Sequence, residues 1–321
     1  MRQVRELIKS KIIRLSVSDK GEEFVVIPRQ LDVDITEKHL EDASLHRAST
    51  EKEFRSQNRK LNSEWVKTAS AAGLKPADIS HLKIEVPTCP VLYLLIKTHK
   101  LIRADDLTST DHSTFKVRPI ISCVDGPTDR IAWFINLILN QLLRHIPAHL
   151  TSTQMFLDRL RNARPKIAYV IESFDVTALY TNVSNDSAMQ TIRELHEQHE
   201  GAINMYGFSI QQLMVLLKVC LNCSIFRWSG KYYAQIRGLA MGQRLAPTLA
   251  VAFMSKVEAP VIDLTPLLYC RYIDDCIVFL FSNREVFKQH TFTSIKTQYN
   301  TTLADVSAVS PSSEPLFRDF Q

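Results

Sequence analysis

The sequence predicts an α+β fold in which an antiparallel sheet carries helices mainly on one face. Three observations point there. Short apolar runs bounded by turn residues alternate with longer stretches of helical periodicity. The last two runs, Leu267 to Tyr269 and Cys276 to Phe281, are joined so tightly that they pair as an antiparallel hairpin. A chain of 321 residues with 45% hydrophobic content also buries a sizeable core, as one elaborate domain or as two or three intimate subdomains.

Residues 1 to about 62 are charged and polar. Phe24-Val25-Val26-Ile27 reads as a short strand, a helix is expected to open at Thr36, and residues 44–64 show almost no apolar period, so a helical or partly flexible extension is expected. Gly73-Leu74-Lys75-Pro76 punctuates the chain before Val91 to Ile96, a buried strand ending in Lys97-Thr98-His99-Lys100. A polar, turn-rich stretch over 101–115 separates it from the strand Lys116 to Ile121, so two basic strand ends flank one loop. Asp125-Gly126-Pro127-Thr128 opens a helix on which Ile131, Phe134, Ile135, Ile138 and Leu142 share a face. A shorter helix from Ser152 to Asn162 is stopped by Pro165.

The run Ile167 to Ile171 then forms the strand that delivers Asp175. Asn185 or Asp186 caps a helix through His199, and Ser209 caps another through Leu221. Ile225 to Trp228, Ser229-Gly230 and Tyr232 to Ile236 make a β-hairpin, Pro247 to Val257 is an apolar helix, and the closing hairpin follows.

Lysine and arginine exceed aspartate and glutamate by 39 − 34 = +5, and residues 83–166 hold 12 basic and 7 acidic residues, the whole of that excess. Contact with a polyanion is sought there first, against the plainer alternative of a solvated basic face. The six cysteines are scattered, mostly within apolar segments, and follow no secretory signal, the pattern of a reduced intracellular chain. Cys220-x-x-Cys223 lies within Leu213 to Phe226 with no second Cys/His pair near, which favours core packing over zinc ligation. No run of about 18 apolar residues occurs, so no membrane-spanning helix is expected.

The chemistry concentrates in three segments. Tyr272-Ile273-Asp274-Asp275 puts two adjacent carboxylates on the turn of the last hairpin, and Asp175 stands 99 residues before Asp274 at the end of another apolar strand. Asp-Asp in a turn is commonplace on its own. Three carboxylates at the ends of buried strands, however, repel one another and resist ionisation unless cations compensate them. With Gly238 to Pro247 between them, the ordered set points to a metal-dependent nucleotidyl transferase. Such chemistry uses two hard cations about 3.5–4 Å apart, and Mg²⁺ takes oxygen ligands. Side chains alternate across a strand, so Asp274 and Asp275 are expected to point different ways. Asp175 and Asp274 would bridge both ions, Asp275 would stand aside as an outer ligand, and the Val176 carbonyl would complete the second site.

FDVTALYTNV (174–183), GLAMGQRLAP (238–247) and YIDDCIVF (272–279), preceded by LIKTHK (95–100) and RPIIS (118–122), resemble in kind and order the motifs of reverse transcriptases of Penelope-like retroelements, relatives of the telomerase catalytic subunit. The resemblance extends from about residue 20 to the end. It implies a right-hand polymerase: an N-terminal helical extension and the start of the fingers over 1–82, fingers over 83–165, and a palm over 166–321 with a helical insertion returning to the fingers around 185–222. It also implies RNA-directed DNA synthesis from dNTPs on an RNA template and a DNA primer, with two Mg²⁺ ions for which Mn²⁺ can substitute. Asp175, Asp274 and Asp275 match the catalytic metal-binding carboxylates. Tyr180 matches the residue that stacks under the incoming sugar and excludes a 2′-hydroxyl. Arg118 and Lys100 match the basic residues that grip the triphosphate, and Met241-Gly242 the segment beneath the template base and incoming nucleotide. Without the resemblance, Tyr180 reads equally as a core aromatic, Arg118 and Lys100 as solvated strand ends, and Trp228, Tyr232 and Tyr233 as hairpin packing.

The sequence departs from the family pattern in places. Ile96 stands where a proline is usual, and Ala246 where a small polar residue is usual. A longer loop between Lys100 and Arg118 leaves Lys116 as a rival for the second triphosphate contact. The palm's closing strands are expected over 300–321, which leaves no residues for a thumb or for a nuclease of the GIY-YIG type, so a fragment or decayed copy of a retroelement polyprotein is expected. Two other readings compete: a catalytically inactive nucleic-acid-binding remnant, and a palm-type nucleotidyl cyclase that has no use for Lys100, Arg118 or residues 238–247. Chromosomal DNA as the target implies the nucleus, although no basic cluster directs the chain there.

Overall fold

The computed structural model describes residues 2–21, 23–101, 106, 108–163, 169–176, 178–263, 265–281 and 317–319. Helix α1 (Arg2–Lys9) leads into the hairpin of β1 (Ile13–Val17) and β2 (Phe24–Pro28), followed by α2 (Arg29–Leu40), β3 (His46–Ser49), α3 (Glu51–Ala71) and α4 (Pro76–Leu82). Strands β4 (Val91–Ile96) and β5 (Val117–Ser122) precede α5 (Asp129–Leu143), α6 (Thr153–Ala163) and β6 (Tyr169–Val176). Then come α7 (Leu179–Asn182), α8 (Asn185–Gln198), α9 (Ile210–Asn222), β7 (Ile225–Trp228), β8 (Lys231–Gln235) and α10 (Ala246–Asp263). The described chain closes with β9 (Leu268–Tyr272), β10 (Asp275–Phe281) and β11 (Phe317–Asp319).

Two sheets frame the site. One has the order β11-β6-β10-β9 and is antiparallel throughout. The other has the order β3-β8-β7-β4-β5, with β4 and β7 parallel and the remaining pairs antiparallel. The β1–β2 hairpin stands apart but is tied to the second sheet: the Asp19 N–H donates to the Ile96 carbonyl at 2.9 Å and Arg14 Nη2 to the Leu94 carbonyl at 2.8 Å.

One face of the first sheet is sealed. Val176, Tyr269, Cys276 and Val278 join the main core with α3, α5, α8, α9 and α10, where Trp65, Ile131, Ile135 and Leu249 are wholly buried. The opposite face is covered only in part: Ile171 and Tyr272 are exposed at 53% and 51%, while Cys270 and Phe279 on the same face are buried. An α+β sheet covered mainly on one face is what the hydrophobic pattern predicts, and all five named positions of α5 are buried.

Several local expectations are corrected. Helix α2 opens at Arg29 rather than Thr36, whose hydroxyl is turned inward to the Asp32 carbonyl at 2.7 Å. Helix α3 is long and regular where no apolar period was visible, because its buried stripe includes Asn58 and Asn62, both donating to the Ile84 carbonyl. Ser184, not Asn185 or Asp186, caps α8, its hydroxyl accepting the Ser187 N–H at 3.3 Å. The expected caps on α9 and the β7–β8 turn are present: Ser209 and Gln212 form a capping box, and Ser229 and Gly230 both take positive φ, as a tight two-residue hairpin turn requires. Cys220 and Cys223 are buried free thiols within the core. Pro165, most of the 101–107 loop and most of 300–321 lie outside the described residues.

Candidate active site

β9 and β10 pair from Tyr272 and Asp275 onward, which leaves Ile273 and Asp274 as a two-residue turn. Ile273 has φ +56°, a conformation that suits glycine and costs a β-branched residue on the order of 1–3 kcal/mol. Two carbonyls pin this turn: Asp274 O accepts the Val176 N–H at 3.0 Å, and Ile273 O accepts from Arg271 Nη1 at 3.0 Å.

The ladder places Asp275, not Asp274, directly opposite Asp175. Cross-strand partners share a face, so Asp175 and Asp275 project from the side away from the main core. Asp275 is exposed and borders a hollow of about 300 Å³ with Leu150, Phe156, Ser173 and Tyr272. Asp274 belongs to the turn, where the sequence placed it, rather than to a strand. Its charge nevertheless acts on Asp175 more strongly than that of Asp275.

Burial first, then the charges of Asp274 and Asp275, push the Asp175 carboxyl above its usual range, while Lys97 and Lys100 oppose the shift. Asp274 is likewise raised, by burial and by Asp275, against Arg118 and Lys97. Among the described residues no three His, Cys, Asp or Glu side chains form a preformed metal cluster. Half-buried acids that resist ionisation together are still what a divalent cation relieves, and carboxylate oxygens suit Mg²⁺, so the residues fit such an ion. The Val176 side chain is buried, and its N–H, as given above, faces the turn.

Lys100 closes a short 3₁₀ turn, Thr98–Lys100, after β4, and Arg118 lies on β5. Both are exposed and both are electrically coupled to the carboxylates. Lys116 does not figure among the charges acting on either acid. Lys97, not singled out from the sequence, acts on both, and only its place in the same basic strand end hinted at it. Asp19 was also missed. Its carboxylate, 2% exposed, lies 2.8 Å from Arg118 Nε, so the loop of the β1–β2 hairpin steadies that cation. That contact is an ion pair by distance without hydrogen-bond alignment.

Tyr180 is half-buried on α7, and its phenol is raised by burial and by Asp274, with Arg118 opposing. Its backbone carbonyl accepts the Leu239 N–H at 2.7 Å, and a Cβ on Gly238 would stand 2.6 Å from that same oxygen, so glycine is needed for the approach. Met241 O accepts the Ile121 N–H at 2.8 Å, and Gly242, with φ +116°, lies against the Ile121 carbonyl. Residues 238–242 thus join the turn after Asp175 to β5.

An antiparallel sheet ending in paired acids, with basic residues at the edge of a second sheet, is consistent with an α+β polymerase fold. The chain belongs to the reverse transcriptase (RNA-dependent DNA polymerase) family, whose model matches residues 110–306. No curated protein matches. Solved structures similar in fold include telomerase from Candida albicans in complex with a fragment of telomeric RNA, at 12% identity and TM-score 0.60 over 92% of this chain and 48% of that one. Apo telomerase from Candida tropicalis is similar at 9% identity and TM-score 0.59, over 94% of this chain and 52% of that one. The chain therefore spans about half the length of the telomerase chains it matches. Among the described residues no helix is long and apolar enough to cross a membrane.

The raised acids carry a stability consequence. A carboxyl whose native pKa lies above its unfolded value binds more protons folded than unfolded, so its contribution is fully present below the usual value of 3.8 and is lost as pH rises through the raised one. At neutral pH without divalent ions, Asp175→Asn and Asp274→Asn are therefore expected to melt higher than the parent. The gain should be modest because solvent screens half-exposed charges, and it should vanish below the usual carboxylate pKa. Calorimetry across pH in EDTA checks this; an equal gain at every pH would contradict it.

Proposed function

We propose that this chain is the RNA-directed DNA polymerase core of a Penelope-like retroelement, a piece of a longer polyprotein, acting in the nucleus and adding dNTPs to a primer 3′ end on an RNA template. The observation that carries the reading is geometric: the ladder sets Asp275 opposite Asp175, and the turn bearing Asp274 is bonded to Val176, the residue after Asp175. The RNA bound by the similar Candida albicans telomerase supports an RNA template. Asp175, Asp274, Asp275 as an outer ligand and the Val176 carbonyl would hold two Mg²⁺ ions, or Mn²⁺ in their place. When bound, such ions activate the primer 3′-hydroxyl and neutralise charge on the leaving pyrophosphate.

The protein's own groups do the rest. Lys100 and Arg118 bind the triphosphate by charge and hydrogen bonds, and the planar Arg118 fork orients it. Met241 and Gly242 form the floor beneath the template base and the incoming nucleotide. Tyr180 lies under the sugar. Primer extension on RNA with Mg²⁺ tests the reading. Nucleic-acid binding without extension, unchanged in Asp274→Asn, would instead identify an inactive remnant.

Tyr180→Ala is expected to admit ribonucleotides, lowering the preference for dNTPs at least about tenfold, since removing the ring removes the steric bar to a 2′-hydroxyl. Competition between dNTP and rNTP in single-nucleotide addition measures this. Unaltered sugar discrimination with extension intact would show that Tyr180 is not the gate.

A further inference from the structure

Beneath the carboxylate turn lies an ion pair that none of the chemistry above employs. Arg271 on β9 and Glu258 on α10 are both fully buried. The guanidinium donates through Nε to Glu258 Oε1, and through Nη2 to Glu258 Oε2 at 3.2 Å and to the Val251 carbonyl at 3.1 Å. Tyr269 Oη donates to Glu258 Oε1 at 3.2 Å, so the acid is itself held. The Arg271 backbone is fixed as well, its N–H donating to Ala148 O and its carbonyl accepting the Leu150 N–H, both at 2.8 Å. With every other part of the side chain immobilised, Nη1 reaches the carbonyl of Ile273, the turn residue with positive φ.

A buried ion pair is seldom needed for stability, since apolar residues of similar volume often serve as well. This one lies under the strained turn and extends a donor to it. The peptide that receives that bond is the one leading into Asp274, whose own carbonyl is held by Val176 of β6. Consecutive carbonyls are thus fixed from opposite sides, one by α10 through Arg271 and one by the strand that bears Asp175.

We propose that Arg271, locked by Glu258, is a positioning residue: its bond to the Ile273 carbonyl maintains the backbone twist that aims the Asp274 carboxylate toward Asp175. The role rests on the polymerase reading. Arg271 touches no substrate, so its loss should lower kcat while leaving the KM for dNTP in place. It should also loosen the Val176 N–H, which is bonded to the neighbouring turn carbonyl.

Two variants test this. Arg271→Lys keeps the buried charge balanced but lacks the fork needed to reach Glu258, Val251 and Ile273 together. Arg271→Met combined with Glu258→Leu removes both charges and leaves an apolar contact. Each is measured for melting temperature, amide hydrogen exchange at Val176 and over 270–277, and single-turnover extension.

The expected result is a fall in kcat of about 10²-fold, the scale of a misplaced reacting group. The KM for dNTP should be unchanged, and exchange at Val176 should be faster while the rest of the palm keeps its protection. A folded variant with parental kcat and parental exchange overturns the proposal. So does a fall in kcat accompanied by a matching rise in KM and general loss of protection, or failure of both variants to fold, because the pair then serves stability alone. If the parent protein extends no primer, the polymerase reading fails, and exchange at Val176 still decides whether Arg271 holds the turn.

Discussion

Asp175→Asn and Asp274→Asn are each expected to reduce primer extension by at least about 10³-fold, the loss that follows when a metal-bridging carboxylate leaves a two-metal site. The substitution is nearly isosteric, so the hairpin register between β6 and β10 should persist. The amide keeps the shape and loses the charge. Asp275→Asn should cost less, because Asp275 is exposed whereas Asp274 is half-buried in the turn. Asp175 and Asp274 act as a unit, so the double variant should be scarcely worse than either single one. Single-turnover extension of a DNA primer on RNA measures all four. A loss in Asp275→Asn equal to the others would assign it an equal share of the ions.

Gly242→Ala is expected to destabilise the protein by on the order of 2–4 kcal/mol and to raise the KM for dNTP. A methyl there would stand 2.2 Å from the Ile121 carbonyl oxygen and 3.0 Å from its carbon, on a backbone with φ +116°. The obstructing atom is main chain and cannot swing aside. Ile121 is itself bonded to Met241, so relief would have to shift β5, the strand that carries Arg118. Gly230→Ala in the β7–β8 turn supplies the contrast: φ is +81°, and nothing lies within 4 Å of the added methyl, so only about 1 kcal/mol should be lost. Urea midpoints for the two variants measure the difference. Similar losses would mean that conformation alone, and not docking on β5, sets the need for glycine at 242.

Much of this architecture was legible from hydrophobic period and turn chemistry. The strands around Val91 to Ile96 and Val117 to Ile121, the stripe on α5 and the hairpin at Ser229-Gly230 follow from local rules. Helix α3 did not, since its buried stripe uses Asn58 and Asn62, whose burial is supported by a carbonyl distant in sequence. Thr36 looked like a helix start because its hydroxyl can cap by accepting an N–H, yet inside the helix it donates instead to the Asp32 carbonyl. At the site, adjacent acids on an apolar hairpin could be read directly. That Asp275 rather than Asp274 faces Asp175 could not, because register depends on which residues the turn consumes. Lys97, Asp19 and the Arg271–Glu258 pair were hidden for one reason: each acts through a partner from another part of the chain.

The central claim is that Asp175 and Asp274 share divalent ions, and Mn²⁺ binding followed by electron paramagnetic resonance, in the presence of a dNTP and a primer–template, tests it most directly. The account predicts that Asp175→Asn and Asp274→Asn each abolish the protein-dependent Mn²⁺ signal that the parent shows. A parental number of ions at parental affinity in Asp175→Asn would contradict it.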